Sequence, residues 1–205
     1  MTLSDRSGAA SLAVRAVGPT DAVALAAFFE AAGSTCFCRY WHFSGDKNGW
    51  LERSAARPEE SRAELEAAVQ EARPDGAGLV ASTGGAIVGW LKLSPRTSVP
   101  KLRNLPVYRT LDLGPDDGVL AIGCMLVHPE HREQGVARAL VAGAIDEAER
   151  QGARCIEAYP RRSPTRLYDE AAFLGPEALY RAQGFEVVVD QPPYPVLRRH
   201  LSPLR

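Results

Sequence analysis

Hydrophobic and polar residues follow one another along this chain in the pattern of a mixed α/β protein. Seven short stretches have the apolar content or alternation of strands, and four stretches repeat apolar residues at helical spacing. The glycine pair at 84–85 predicts a hairpin between two of the strands. The predicted strands are 11–17, 79–83, 86–93, 120–127, 154–159, 185–190 and 196–201. The predicted helices are 22–32, 58–73, a long helix after Gly135 that ends at Gly152, and a short helix within 175–184.

Two stretches have neither period and are expected to be loops. Residues 33–57 are aromatic and rich in Gly, Asn and Ser, and residues 94–115 contain three prolines before Gly114, namely Pro95, Pro100 and Pro106. At 205 residues the chain has the length of a single domain. We therefore expect one domain, residues 1–205, with two long connections.

The most informative segment runs from residue 118 to 152. A nearly all-apolar strand leads into a turn with the spacing Arg132-x-x-Gly135-x-Ala137, and a long amphipathic helix follows directly. The first N–H groups of a helix have no internal acceptor, and the helix dipole adds positive potential there. Small residues at Gly135 and Ala137 would let a phosphate approach those groups. The alternative is an ordinary strand–turn–helix unit in which Gly135 only permits close packing. The GxGxxG pattern is absent, which argues against a nicotinamide or flavin enzyme.

This segment resembles the cofactor-binding motif of the GNAT superfamily of acyl-CoA N-acyltransferases. The segment Leu179-Tyr180-Arg181-Ala182-Gln183-Gly184-Phe185 is similar to the family's Leu-Tyr-x-x-x-Gly-Phe ending. The resemblance implies an α/β (α+β) GNAT fold, with a mixed central sheet of about six to seven strands flanked by about four helices. It also implies a sheet splayed between the motif strand and the next strand, and acetyl-CoA (coenzyme A) as cofactor. The implied cofactor-binding residues are Leu126, Val127, Arg132, Glu133, Gln134, Gly135, Val136, Ala137 and Arg138.

Tyr180 is the candidate general acid, because the family places a tyrosine there beside the coenzyme sulfur. We expect Leu179 and Ala182 to face the sheet, with Tyr180 rotated toward the cleft. The alternative is a tyrosine that packs its ring in the core. The resemblance also implies that a backbone N–H near Leu126 or Val127 holds the thioester carbonyl, beside a bulge that opens the strand.

Glu157 is the second candidate catalytic residue, because a carboxylate in a central strand needs a reason to be buried. It would either face the cleft and accept the amine's proton, directly or through water, or pair with Arg161, Arg162 or Arg166. His128 is a weaker candidate base, since this turn position usually faces solvent.

The loop 34–57 departs most from a minimal acetyltransferase. Its Cys-x-Cys-x-Tyr-Trp start, with a Val-Gly-Trp strand and a Glu-x-Tyr-Pro strand, resembles a bacterial GNAT subgroup. In this fold the loops 34–57 and 94–115 would shape the acceptor pocket. Cys36, Cys38 and His42 allow a zinc site or a redox thiol pair as alternatives, but Cys-x-Cys is not zinc-finger spacing, so we expect no metal. The expected substrate-binding residues are Cys36, Cys38, Tyr40, Trp41 and Trp90.

Composition limits the partners. The formal charge of −1 gives no argument for nucleic acid or an acidic membrane surface, and no apolar run has the ~20 residues of a membrane helix. No secretory signal is visible, and four irregularly spaced cysteines do not make a disulfide framework. We expect a cytoplasmic monomer or homodimer that binds neither nucleic acid nor membrane.

The leading hypothesis is an N-acetyltransferase that moves an acetyl group from acetyl-CoA to a small primary amine by direct attack in a ternary complex. One alternative is a non-catalytic acyl-CoA-binding regulator or interaction subunit. A second alternative is a protein or peptide N-acetyltransferase, which would need an open peptide groove.

Overall fold

The computed structural model describes residues 11–163 and 173–201 as a seven-stranded sheet with helices on both faces. The strands are β1 (Ala13–Ala16), β2 (Gly78–Thr83), β3 (Ala86–Pro95), β4 (Val119–Val127), β5 (Cys155–Ala158), β6 (Glu186–Val189) and β7 (Val196–His200). The helices are α1 (Ala22–Ala31), α2 (Lys47–Ala56), α3 (Pro58–Gln70), α4 (Pro100–Asn104), α5 (Val136–Arg150) and α6 (Glu177–Arg181).

The strand order is β1-β2-β3-β4-β5-β7-β6, and every neighbouring pair is antiparallel except β4 and β5. Helix α5 makes the crossover between that parallel pair, as parallel strands require. Pairing of β4 with β5 begins at Val119 and stops at Ile122, which lies opposite Ala158. Because β4 continues to Val127, its last residues have no partner strand on the β5 side among the residues that the structure describes. The expected splay between these two strands is therefore confirmed.

A bulge in β4 precedes the splay. Lys92 of β3 lies opposite Cys124, and the next residue, Leu93, lies opposite Ile122, so Gly123 is the additional residue. A bulge bends the strand and increases its twist. Trp41 donates its indole N–H to the carbonyl of Gly123.

The two faces of the sheet have different coverings. Helix α5 covers one face and buries Val136, Leu140 and Val141 against it. Helices α1, α2 and α3 and the segment around α4 cover the other face, where the clusters around Phe29 and Trp41 are formed. Within the described ranges, no helix has the length and apolarity needed to cross a membrane.

Two of the stretches expected to be loops contain helices. Asp46 accepts a hydrogen bond from the N–H of Gly49 at 2.8 Å, which caps α2 within the stretch 33–57. Pro100 begins the short helix α4 within 94–115, and the first two residues of that stretch belong to β3. The seven predicted strands are all present, with bounds that differ by a few residues.

Candidate active site at the divergence of β4 and β5

The turn between β4 and α5 is held in a defined shape. A 3₁₀ turn, Pro129–His131, follows His128, whose Nδ1 accepts a hydrogen bond from the N–H of Glu130 at 3.3 Å. Glu133 has a φ of 61° and Gly135 a φ of 85°, both in the left-handed region. Gly135 is the N-cap of α5, and its carbonyl accepts the N–H of Ala139 at 3.0 Å. The N–H groups of the first residues of α5, before Ala139, therefore have no carbonyl acceptor within the helix.

The space in front of this helix end is open. A Cβ added at Gly135 would have no heavy atom within 4 Å, so nothing in the described fold fills the position. A second glycine fixes the helix behind it, because a Cβ on Gly89 of β3 would lie 2.7 Å from Val136. The helix end is therefore pressed onto the sheet while the space beside Gly135 stays open, as an anion site at a helix N-terminus requires.

The polar side chains of the turn bind its own backbone. Arg132 donates from Nε to the carbonyl of Val127 at 3.4 Å, and Gln134 donates to the carbonyl of Glu130 at 2.8 Å. Val136 is buried in the core, so its side chain does not occupy the open space. This turn would thus bind a phosphate mainly through backbone N–H groups and the helix dipole, with the exposed Arg138 in the first turn of α5.

The free edge of β4 presents N–H groups from alternate residues. His128 donates to Val88 of β3 at 2.9 Å, so by alternation the N–H of Leu126 also faces β3. The N–H groups of Met125 and Val127 face the opposite, open side. Met125 uses its N–H to bind the carbonyl of Phe173 at 2.6 Å. Of the two strand residues expected from the sequence, Val127 is the one whose N–H faces the cleft.

Tyr180 lies at this open edge but is fully buried. Its side chain packs with Met125 and Phe185, and its hydroxyl donates to the carbonyl of Leu174 at 2.6 Å. Burial, with a smaller effect of the neighbouring Cys124, raises the pKa of Tyr180 above its usual value, so the phenol keeps its proton. Leu179 packs against the core as expected, but the rest of the expected helix phase is wrong, because Ala182 is exposed and Tyr180 itself is the buried residue of α6.

Glu157 is the centre of a buried ion-pair network. Both carboxylate oxygens accept from Nη1 of Arg96 at 3.0 Å, and Oε1 also accepts from Arg198 at 2.5–2.8 Å. The hydroxyl of Tyr159 donates to Oε2 at 2.5 Å. The side chains of Arg96 and Glu157 are both 0% exposed.

Two of the arginines expected as partners of Glu157 bind elsewhere, and the Arg161 guanidinium lies 5.9 Å from the ring centroid of Tyr194. Arg162 instead pairs with Glu177 and Asp190, and Arg166 lies outside the described residues. Arg96 follows β3, Glu157 lies in β5 and Arg198 lies in β7. The ion pairs therefore connect the end of β3 to β5 and β7. Arg96 also donates to the carbonyls of Gly114 and Pro115 at 2.7 and 2.8 Å, which fixes the connection before β4.

The residues expected to line the acceptor pocket divide into two sets. Cys36 and Tyr40 are partly exposed, whereas Cys38, Trp41 and Trp90 are 3%, 3% and 0% exposed. Trp90 packs edge-on against Phe29 in the core and does not form an open wall, which corrects the expectation for that residue.

Aromatic rings form the outer layer of this loop. Tyr40 contacts Trp41 and Trp50 with ring centroids 5.7 and 5.4 Å apart, and Phe43 contacts Trp50 at 5.4 Å. The Lys101 ammonium lies 4.7 Å from the centroid of Tyr40 and so ties α4 to the loop. The loop is an ordered aromatic cover on this face of the sheet.

Beneath this cover lies a polar cluster that the sequence did not reveal. Lys92 is 1% exposed and donates to the carbonyl of Asp75 at 2.9 Å. Arg39 donates to the same carbonyl at 2.9 Å and to the Asp75 carboxylate at 2.6 Å. Burial would raise the pKa of Asp75, but hydrogen bonds from Arg39 and Arg73 lower this pKa to about 2. Burial, then the charges of Lys92 and Arg39, lower the pKa of His42 to about 3.

Within 11–163 and 173–201, no group of three or more His, Cys, Asp or Glu side chains is arranged to hold a metal ion. The family model described as "Acetyltransferase (GNAT) family" matches residues 46–185. The chain belongs to this family. The match begins after Cys36–Trp41, so the resemblance of that loop to a GNAT subgroup stays a prediction.

Solved structures of GNAT proteins share the fold at low sequence identity. The coenzyme A complex of the PaiA N-acetyltransferase from Thermoplasma acidophilum has a TM-score of 0.53 and 12% identity, covering 93% of this chain and 99% of its own. A GCN5-related N-acetyltransferase from Kribbella flavida has a TM-score of 0.52 and 22% identity, covering 93% of this chain and 98% of its own. A GNAT family acetyltransferase from Brucella melitensis in complex with acetyl-CoA has a TM-score of 0.52 and 19% identity, covering 94% of this chain and 90% of its own. No curated protein sequence matches this chain.

Proposed function

We propose that this GNAT protein transfers an acetyl group from acetyl-CoA to a small primary amine by direct attack in a ternary complex. The observation that carries the proposal is the open N-terminus of α5 beside the free edge of β4. Two of the structural neighbours were solved with coenzyme A or acetyl-CoA. In this chain the backbone N–H groups from Glu133 to Arg138 would face the pyrophosphate, and the splay would admit the pantetheine arm.

Bound acetyl-CoA supplies an activated acetyl thioester. The Val127 N–H faces the splay and would hold the thioester carbonyl, where negative charge develops. The Tyr180 hydroxyl keeps its proton and would donate it to the leaving thiolate after releasing the carbonyl of Leu174. Because Arg96, Arg198 and Tyr159 bind the Glu157 carboxylate, we assign Glu157 to the structure of the site. With Glu157 bound in this way, the attacking amine would lose its proton to water.

A non-catalytic acyl-CoA-binding protein is the second candidate. One observation favours it: the N–H of Met125 and the hydroxyl of Tyr180 are bound by the chain's own carbonyls, those of Phe173 and Leu174. Both proposals require the same cofactor site, so only turnover distinguishes them. Release of free thiol from acetyl-CoA in the presence of an amine supports transfer, and binding without release for every amine and peptide supplied supports the second candidate.

The cofactor site is tested by calorimetric titration of acetyl-CoA into matched glycine variants. Gly135 and Gly152 lie at opposite ends of α5, both have positive φ, 85° and 68°, and both have no heavy atom within 4 Å of an added Cβ. Gly135→Leu and Gly152→Leu therefore introduce comparable strain. We expect Gly135→Leu to weaken binding at least about tenfold, which corresponds to ~1.4 kcal/mol, and Gly152→Leu to leave it unchanged. Equal affinities for both variants would refute the site.

A further inference from the structure

Two cysteines distant in sequence meet beneath the aromatic loop. Cys38 lies between α1 and α2, and Cys124 lies in β4 directly after the bulge. Both side chains belong to the buried cluster around Phe29 and Trp90, and each thiol is near enough to shift the pKa of the other. All four cysteines of the chain are free thiols in this structure.

The backbone at Cys38 is unusual for a residue with a side chain. Phe37 and Cys38 have φ angles of 44° and 55°, so two successive non-glycine residues lie in the left-handed region. This conformation accompanies a thiol that lies on the sheet and does not face solvent. Cys36 stays partly exposed, and its sulfur accepts a hydrogen bond from the N–H of Cys38 at 3.4 Å.

Two basic residues, Lys92 and Arg39, act on the Cys38 thiol. Lys92 of β3 lies beside both Cys38 and Cys124, and Arg39 follows Cys38 in the same loop. Burial alone would raise the pKa of Cys38, but the interaction with Cys124 and the charge of Lys92 lower this pKa to about 7. The thiolate is the reactive form of cysteine, and adjacent cations favour it.

We propose that Cys38 and Cys124 are an oxidation site, a dithiol that hydrogen peroxide converts to a disulfide. The Cys38 thiolate attacks one peroxide oxygen; an S–O bond forms, the O–O bond breaks, and the released hydroxide takes a proton to become water. The Cys124 thiol then attacks the sulfur of the resulting sulfenic acid, the S–S bond forms, and a second water leaves. Two thiols are oxidised and one peroxide is reduced to two waters.

This disulfide would join the aromatic loop to the strand at the edge of the cleft. Cys124 is flanked by Gly123, whose carbonyl binds the Trp41 indole, and by Met125, whose N–H faces the splay. The oxidation state of the pair would therefore determine whether the loop is covalently fixed at this edge. The proposal is independent of acetyl transfer, because it concerns thiols that the proposed reaction does not use.

The test is peptide mapping of the intact wild-type chain after treatment with hydrogen peroxide under native conditions, with alkylation of the remaining thiols before digestion. We expect the chain to lose two hydrogens and a peptide containing Cys38 to be joined to one containing Cys124. Cys155 is buried in β5, outside the cluster that holds Cys38 and Cys124, so Cys155→Ala is the matched control and should form the same link. Cys36→Ala should form it as well.

Other results would overturn the assignment. A link between Cys36 and Cys38, or full alkylation of Cys38 and Cys124 after peroxide, shows that they are not a disulfide-forming pair. The wild-type result does not depend on the folding of any variant. Heating the oxidised and reduced chains gives a second measurement: a bond that closes a long loop should raise the melting temperature, and dithiothreitol should reverse the rise. A melting temperature unchanged by oxidation contradicts a link between the loop and β4.

Discussion

Replacing Glu157 with glutamine distinguishes a structural carboxylate from a catalytic base. The substitution preserves the size of the side chain and removes the charge that Arg96 and Arg198 share. Arg96 retains Asp116, 2.5 Å from its Nε, but Arg198 loses its ion-pair partner within the described part of the chain. Removing one partner of a buried ion pair costs about 3–5 kcal/mol, because the other charge stays buried without compensation.

That cost is large relative to the ~5–15 kcal/mol stability of a typical domain. For a chain of this size, 1 kcal/mol lowers the melting temperature by about 2–4 °C, so we expect Glu157→Gln to lower it by about 6–20 °C. The measurement is urea denaturation together with thermal melting. Glu147→Gln is the control, because Glu147 pairs with the exposed Arg150 on the surface of α5 and should cost less than about 1 kcal/mol.

Kinetics complete the experiment. If Glu157 is structural, the folded fraction of Glu157→Gln should retain most of the wild-type kcat at a temperature well below its melting transition. The opposite result, an unchanged melting temperature with kcat reduced about 10²–10⁴-fold, would refute our reasoning and identify the carboxylate as the base.

Two further predictions concern buried polar groups. Tyr180→Phe should lower kcat about 10²–10⁴-fold in a thiol-release assay while the Kd for acetyl-CoA stays constant, and full activity would exclude the phenol as proton donor. The folded-state pKa of His42, about 3, lies below its ordinary value of 6.5, so the unfolded chain binds the extra proton and stability falls as the pH decreases. As the pH falls from ~7.5 to ~4.5, this histidine should lower the free energy of unfolding by about 2–3 kcal/mol, measured by urea denaturation. His42→Gln should remove that part of the decrease. An unchanged pH dependence in the variant would contradict the assignment.

The strands and the cofactor turn could be predicted because their signals are local. Apolar stretches bounded by glycine and proline define each strand, and the turn before α5 needs only residues adjacent in sequence. Helix α2 was missed because Gly45 and the surrounding aromatic residues obscure its period, although Asp46 was an available N-cap signal. The predicted orientation of Tyr180 was wrong because a helix of five residues contains too few apolar repeats to show which side chains face the core.

The partners of Glu157 could not be predicted for a different reason. Arg96 is 61 residues before it and Arg198 is 41 after it, and both contacts depend on the register of strands that pair across the sheet. A sequence pattern shows that a carboxylate in a central strand needs a cation. It does not show which of the 24 lysines and arginines supplies it.

The bulge at Gly123 relates the open edge of β4 to the buried thiols. Side chains of a regular strand alternate between faces, so without an additional residue Cys124 would lie on the same face as Ile122. With the bulge, Ile122 and Met125 belong to the core under α5, and Cys124 belongs to the cluster on the opposite face. One inserted residue thus directs Cys124 toward Cys38 and Met125 toward Tyr180. The same residue lies where pairing with β5 ends, so the cleft and the thiol contact have a common structural cause.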